Sequence, residues 1–287
     1  MEVLPRLLDA AALRAFYLAA SALILVVQAV PALRDRFLAY GSRATSMKPT
    51  QAGPPNRIER LLDYAASFQV PHNYFTHFYV VSIASSIFWG WKLRLWSAGG
   101  QLSVMWALML LQGLRRLVES YAYTSSSKSS MWFAHWILGL AFYLATNVAI
   151  WTESRADMAS HPTVEPAALG WKTAVLAPAV LTVQVLQHIY HAYLYQLRTQ
   201  NTGYQLPSHP LFPTLLCPHY TCDIAVYALL SVLGAPAGRS INWTLVTAAV
   251  FATVNLGVTA AGTKTWYEEK FGKDKVSGRR RMIPWIW

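Results

Sequence analysis

The chain has 287 residues, 54% hydrophobic and only 13% charged, with 24 Lys and Arg against 13 Asp and Glu. A soluble domain carries about a quarter charged residues, so the composition excludes an ordinary globular enzyme and points to helices in lipid. The net charge of +11 falls on no extramembrane face with interleaved aromatics, which argues against a nucleic-acid partner.

Stretches without Asp, Glu, Lys or Arg predict seven spans: 15–33, 75–91, 95–114, 131–151, 173–197, 224–238 and 240–263. Most reach the ~20 residues that cross ~30 Å of hydrocarbon. The expected fold is therefore an all-α integral membrane protein of seven transmembrane helices, one domain over 1–287. No small-residue cleavage site follows the first stretch, which reads as a span or signal anchor.

Seven spans alternate the connecting segments. Segments 34–74, 115–130, 198–217 and 264–287 then hold 17 of the 24 Lys and Arg. The remaining 7 lie on the other side, where the 152–170 loop carries Glu153, Asp157 and Glu165. Basic loops mark the cytosolic face, so the C-terminus is expected in the cytosol. Cys217 and Cys222 share that reducing side, and two cysteines at that spacing make no zinc site. Asn242-Trp-Thr244 is a glycosylation sequon, but it abuts the last span.

Taken in order, residues 41–57 form a turn-rich connector with Gly41, Gly53, Pro54 and Pro55. Ile58, Leu61, Leu62 and Ala65 then recur at helical spacing among charges, as in a helix lying on the cytosolic membrane surface or an ordinary solvated one. Gln69 and Pro71 precede Tyr74, His77 and Tyr79 at the entry of the second span. These aromatics are interfacial belt residues or the rim of a polar pocket. At the end of the third span Arg115 and Glu119 are spaced for an ion pair, leaving Arg116 for a phosphate or for snorkelling to headgroups. The Thr124–Ser130 tract reads as a polar loop.

Gln187, His191 and Arg198 fall on one helical stripe, with His188 and Tyr195 beside it. A polar stripe on an apolar helix faces a polar cavity, a ligand or a neighbouring helix. His219 and Asp223 lie four apart on a helix whose first turn Pro218 marks. That helix start offers free N–H groups to an anion, and a structural pair is the alternative. No Gly-rich dinucleotide or phosphate loop, no His-Glu-x-x-His helix and no nucleophile elbow is present.

These residues resemble the steroid 5α-reductase family, membrane reductases of the endoplasmic reticulum that use NADPH. The resemblance rests on six short motifs in order: Val70–Tyr79, Leu114–Glu119, Gln187 and His191 ahead of Leu197-Arg198, Tyr204–Pro207, Cys217–Tyr220, and Trp266-Tyr267 before Arg281–Pro284. It looks closest to the branch that acts on polyprenal in dolichol synthesis, and covers nearly everything beyond the first span. It implies a seven-helix steroid 5α-reductase-like bundle that takes long-chain polyprenal from the membrane lipid. It also implies that Gln187, His191, Arg198, Tyr204, His219, Asp223 and Tyr267 bind NADPH, with Arg116 and Lys264 available for its phosphates. Steroid-reducing members hold the substrate carbonyl with a Glu and a Tyr. Here Gln69 and Gly113 stand in those places, and His219 and Asp223 replace an Asn and a Glu, which argues against a steroid.

Reduction of a C=C by hydride requires a conjugated carbonyl to take the charge, so an aldehyde fits and an allylic alcohol does not. Gln69, Tyr74 and His77 are the candidates for polarising the aldehyde and delivering the proton. Other readings keep the scaffold with an enoyl-CoA substrate, replace NADPH by S-adenosylmethionine in a prenylcysteine-type methyltransferase, or drop catalysis for a transporter or scaffold.

Overall fold

A computed structural model describes residues 9–38, 56–98, 100–123, 129–154 and 170–287. The connector up to residue 55, residues 124–128, and the part of the acidic loop with Asp157 and Glu165 lie outside the described residues. Each of the seven apolar stretches overlaps one long helix. These are α1 (Ala10–Ala29), α4 (Phe75–Leu93), α5 (Gly100–Ala122), α6 (Phe133–Thr152), α7 (Trp171–Thr199), α8 (Pro218–Leu233) and α9 (Trp243–Phe271). Shorter helices are α2 (Pro31–Phe37), α3 (Arg57–Ala66) and α10 (Lys273–Ser277).

Two expectations are corrected. The first stretch does not run to residue 33: α1 starts at Ala10 and breaks at Val30, because Pro31 has no N–H to continue the ladder and opens α2 instead. The chain is also not purely helical. Strand β1 (Gln69–Pro71) pairs antiparallel with β2 (Ser130–Trp132), Val70 opposite Met131. This ribbon sits where α4 and α6 begin.

Among the described residues, α1, α6, α7 and α9 are long and apolar enough to cross a membrane, so the chain is a multi-pass membrane protein. α4, α5 and α8 do not meet that standard; the 16 residues of α8 rise only about 24 Å. By contrast α7 and α9, each 29 residues, rise about 43 Å. Each therefore exceeds the ~30 Å of hydrocarbon by about two turns.

The helices close a ring. α9 packs between α1 and α8, then α8 on α7, α7 on α5, α5 on α4 and α4 on α6, which returns to α1 and α9. One apolar core runs through it, including Tyr17, Ile24, Met105, Leu108, Phe142, Ile150, Val180, Leu230, Leu245 and Phe251. A smaller cluster of Leu216, Cys217, Ala260, Val276 and Met282 packs with Tyr267 and Trp287. It fixes the tail: Leu216 N–H donates to Arg280 O (3.0 Å) and Cys217 N–H to Arg281 O (2.9 Å).

Opposite the tail, one carboxylate ties three helices. Glu153 Oε1 accepts from Arg14 Nη2 of α1 (2.7 Å) and from Thr244 N (2.6 Å) and Oγ1 (2.7 Å) of α9. Burial alone would raise the Glu153 pKa, but the bonds from Thr244 and Arg14 outweigh it and hold the carboxyl below its ordinary value. Nearby Asn242 is fully buried. Its side chain caps α9 by accepting from Leu245 N–H (2.9 Å) and donates to Gly234 O (3.1 Å). The sequon therefore serves as a helix cap.

On the other face, α3 begins in a capping box between Asn56 and Glu59 and pairs with α2 through Arg36 and Asp63 (2.6 Å). Ile58, Leu61 and Tyr64 are each more than three-fifths exposed.

Candidate active site

Six helices bring the turns at the tail's end of the bundle around one cavity of about 670 Å³, within the usual range for small-molecule sites. The first turns of α4, α6 and α8, the last turns of α5 and α7 and the second half of α9 line it. Arg198 and Tyr204 stand at the outer end. Tyr79, Tyr143, Tyr227, Asp223, Phe142 and Phe251 lie deeper in the bundle.

Tyr204 ties its loop back to the bundle: Arg198 lies 4.4 Å from its ring centroid and Lys270 Nζ 5.2 Å. At the end of α5, Tyr123 stacks on Tyr195 at 5.2 Å. Burial, and then the Glu119 carboxylate, raise its phenol pKa.

Glu119 is the hub of the site, 3% exposed. One oxygen pairs with Arg115 and with His188 Nδ1 (2.8 Å), the other with Arg116 and with His191 Nδ1 (2.8 Å). Arg116 also meets His191 Nδ1 at 2.7 Å and donates from Nη2 to the Tyr79 oxygen at 2.6 Å. Arg115 reaches back to Gln112 and Gln187. Gln187, fully buried, donates to His219 O (3.2 Å). His219 lies 5.5 Å from Tyr190, the rings nearly parallel, and its Nδ1 is buried without a hydrogen-bond partner among the described residues. That nitrogen and the outer cations are what a ligand with phosphates and a polar heterocycle would meet.

Of the residues expected from sequence, Arg116, His191, Arg198, Tyr204, His219 and Asp223 line this cavity, and Gln187 stands directly behind it. Five others stand outside the lining. Lys264 donates to Arg279 O (2.9 Å), holding the tail. Tyr267 packs with Phe271 in the smaller core. Gln69 bonds Ala66 O and Ser130 within the ribbon. Tyr74 and His77 pack as tilted rings, centroids 4.4 Å apart, beside Trp136. Arg116 is also not left over once Arg115 pairs with Glu119, since it shares the same carboxylate. Gly113 does not reach the cavity. A Cβ there would come within 3.1 Å of Ile83 Cγ1, so a larger residue needs the Ile83 side chain to shift.

Sequence reasoning passed over Tyr143, Tyr227, His72 and His135, which also line the cavity. Only Tyr227 carried a signal, lying one helical step of four beyond Asp223.

Polyprenal reductase of Saccharomyces cerevisiae is 26% identical over 255 residues, covering 87% of this chain and 85% of that protein. Polyprenal reductase 2 of Oryza sativa subsp. indica is 25% identical, covering 88% and 89%. Polyprenal reductase of Xenopus laevis is 24% identical, covering 77% and 78%. The model of the 3-oxo-5-alpha-steroid 4-dehydrogenase family matches residues 129–287, which carry most of the cavity wall. The chain belongs to that family, the steroid 5α-reductases.

Proposed function

We propose that this protein is a polyprenal reductase, saturating the α-isoprene C=C of a membrane-borne polyprenal to dolichal with NADPH. We place it in the endoplasmic reticulum membrane with seven spans and a cytosolic C-terminus. The extended likeness to polyprenal reductases supports the substrate. The overlap of α4, α5 and α8 with the remaining apolar stretches supports the span count.

One observation supports the reading: a single cavity joins Arg198 at its outer end to Tyr79, Tyr143 and Tyr227 deeper in the bundle. NADPH, when bound, supplies the hydride for the β-carbon. Arg198 pairs with its phosphates, with a charge-assisted bond contributing about 1.5–3 kcal/mol, and Asp223 and His219 Nδ1 meet its polar ring groups. Phe142 and Phe251 set apolar rings at the inner end, against the isoprene unit. A phenol among Tyr79, Tyr143 and Tyr227 donates to the aldehyde oxygen as charge collects there.

The test is a microsomal assay with NADPH and a short-chain polyprenal, following loss of the conjugated double bond. NADPH-dependent saturation is expected. Reduction of an enoyl-CoA or a steroid in its place, or thermal stabilisation by S-adenosylmethionine instead of NADPH, would discard the reading.

A further inference from the structure

The three cavity tyrosines are not equivalent. Tyr79, 4% exposed, receives a hydrogen bond from Arg116 Nη2 at 2.6 Å. Among the described residues no hydrogen bond reaches the hydroxyl of Tyr143 or Tyr227. A guanidinium has only donors, so the Tyr79 oxygen must be the acceptor, and its own proton points elsewhere. A phenol that accepts from a cation is a stronger donor in turn, because hydrogen bonds in a chain polarise one another.

The cation is itself fixed. Arg116 Nη1 is held by Glu119, and Arg115 and His188 hold the other Glu119 oxygen. Turning Arg116 toward a phosphate would strip a buried carboxylate of a partner, which is costly. Arg116 is thereby committed to Tyr79, and the phosphates fall to Arg198.

We propose that Tyr79 is the catalytic donor to the substrate's aldehyde oxygen, and that Arg116, and behind it Glu119, are its positioning residues; this rests on reading the cavity as a polyprenal-reducing site. As hydride from NADPH forms the new bond at the β-carbon, the C=C electron pair shifts and the carbonyl pair moves onto oxygen. Tyr79 stabilises that enolate by hydrogen bonding and keeps its proton. The α-carbon then takes a proton from solvent and the carbonyl re-forms.

The experiment uses the full chain in detergent, with NADPH and a short-chain polyprenal at saturation. Tyr79→Phe is expected to lower kcat 100-fold or more, the usual effect of deleting one oxyanion donor, with KM for NADPH within threefold. Glu119→Gln should lower kcat about tenfold alone and nothing further on the Tyr79→Phe background, since residues acting through one group are not additive. Should Tyr79→Phe fail to fold, Arg116→Lys keeps the charge without the fork and must still lower kcat at unchanged KM for NADPH. Tyr79→Phe with a third or more of wild-type kcat, multiplying losses, or an Arg116→Lys enzyme of normal kcat overturns the assignment. Wild-type protein that fails to reduce polyprenal removes the functional reading itself. An active wild type with an equally active Tyr79→Phe variant removes only this inference.

Discussion

Glu153→Gln isolates the clamp at the end of the bundle opposite the cavity. The Glu153 side chain is 4% exposed and that of Arg14 33%. Breaking a buried pair by removing one charge costs about 3–5 kcal/mol, but Arg14 keeps partial access to water and the amide oxygen still accepts from Thr244. The expected loss is therefore about 2–3 kcal/mol, a fall of about 4–10 °C in Tm. The pH dependence has a defined sign. Because the folded pKa of Glu153 lies below its ordinary 4.5, its stabilisation is complete above that value and fades as pH falls through the folded pKa. Thermal unfolding in detergent should therefore separate wild type from Glu153→Gln at pH 7, with the gap narrowing as pH falls below the ordinary carboxyl value. Variants that unfold together at pH 7, or stay equally far apart in acid, would refute the clamp.

Three further outcomes are expected. Arg198→Ala should raise KM for NADPH about 10- to 100-fold with kcat little changed, by steady-state kinetics, since it removes one charge-assisted contact. Gly139→Leu should abolish polyprenal turnover and lower Tm, because even a Cβ at that cavity position would stand 2.6 Å from Phe78 Cζ. Asn242→Gln should leave gel mobility unchanged after endoglycosidase treatment yet cost about 1 kcal/mol or more of stability, through loss of the α9 cap.

The long helices were legible because lipid penalises unpaired charge, so charge-free stretches outline them. The same rule misplaced the start of α1, since Arg14 sits inside it, paired with Glu153, 139 residues away, and bonded to Thr244. The stripe of Gln187, His191 and Arg198 was readable because helical periodicity alone aligns it. The β1–β2 ribbon was not, since three-residue strands some sixty positions apart pair through tertiary packing. Rotational phase also escaped at the entry of α4. Sequence grouped Tyr74, His77 and Tyr79, yet two positions along a helix turn the side chain by about 200°. Tyr79 therefore lines the cavity while Tyr74 and His77 pack beside Trp136.

Two buried carboxylates at opposite ends of one bundle show why ionisation within a membrane fold does not by itself identify a reactive centre. Glu153 spends its bonds on a helix N-terminus and an arginine of α1, and none of these partners borders the cavity. Glu119 makes bonds of the same kind, but the connection continues through Arg116 to a phenol on the cavity wall. Local electrostatics are alike; what differs is where the chain of donors ends. An amide at position 153 should therefore lower the unfolding temperature and leave turnover at saturating NADPH intact. An amide at position 119 should slow turnover in protein that still binds NADPH.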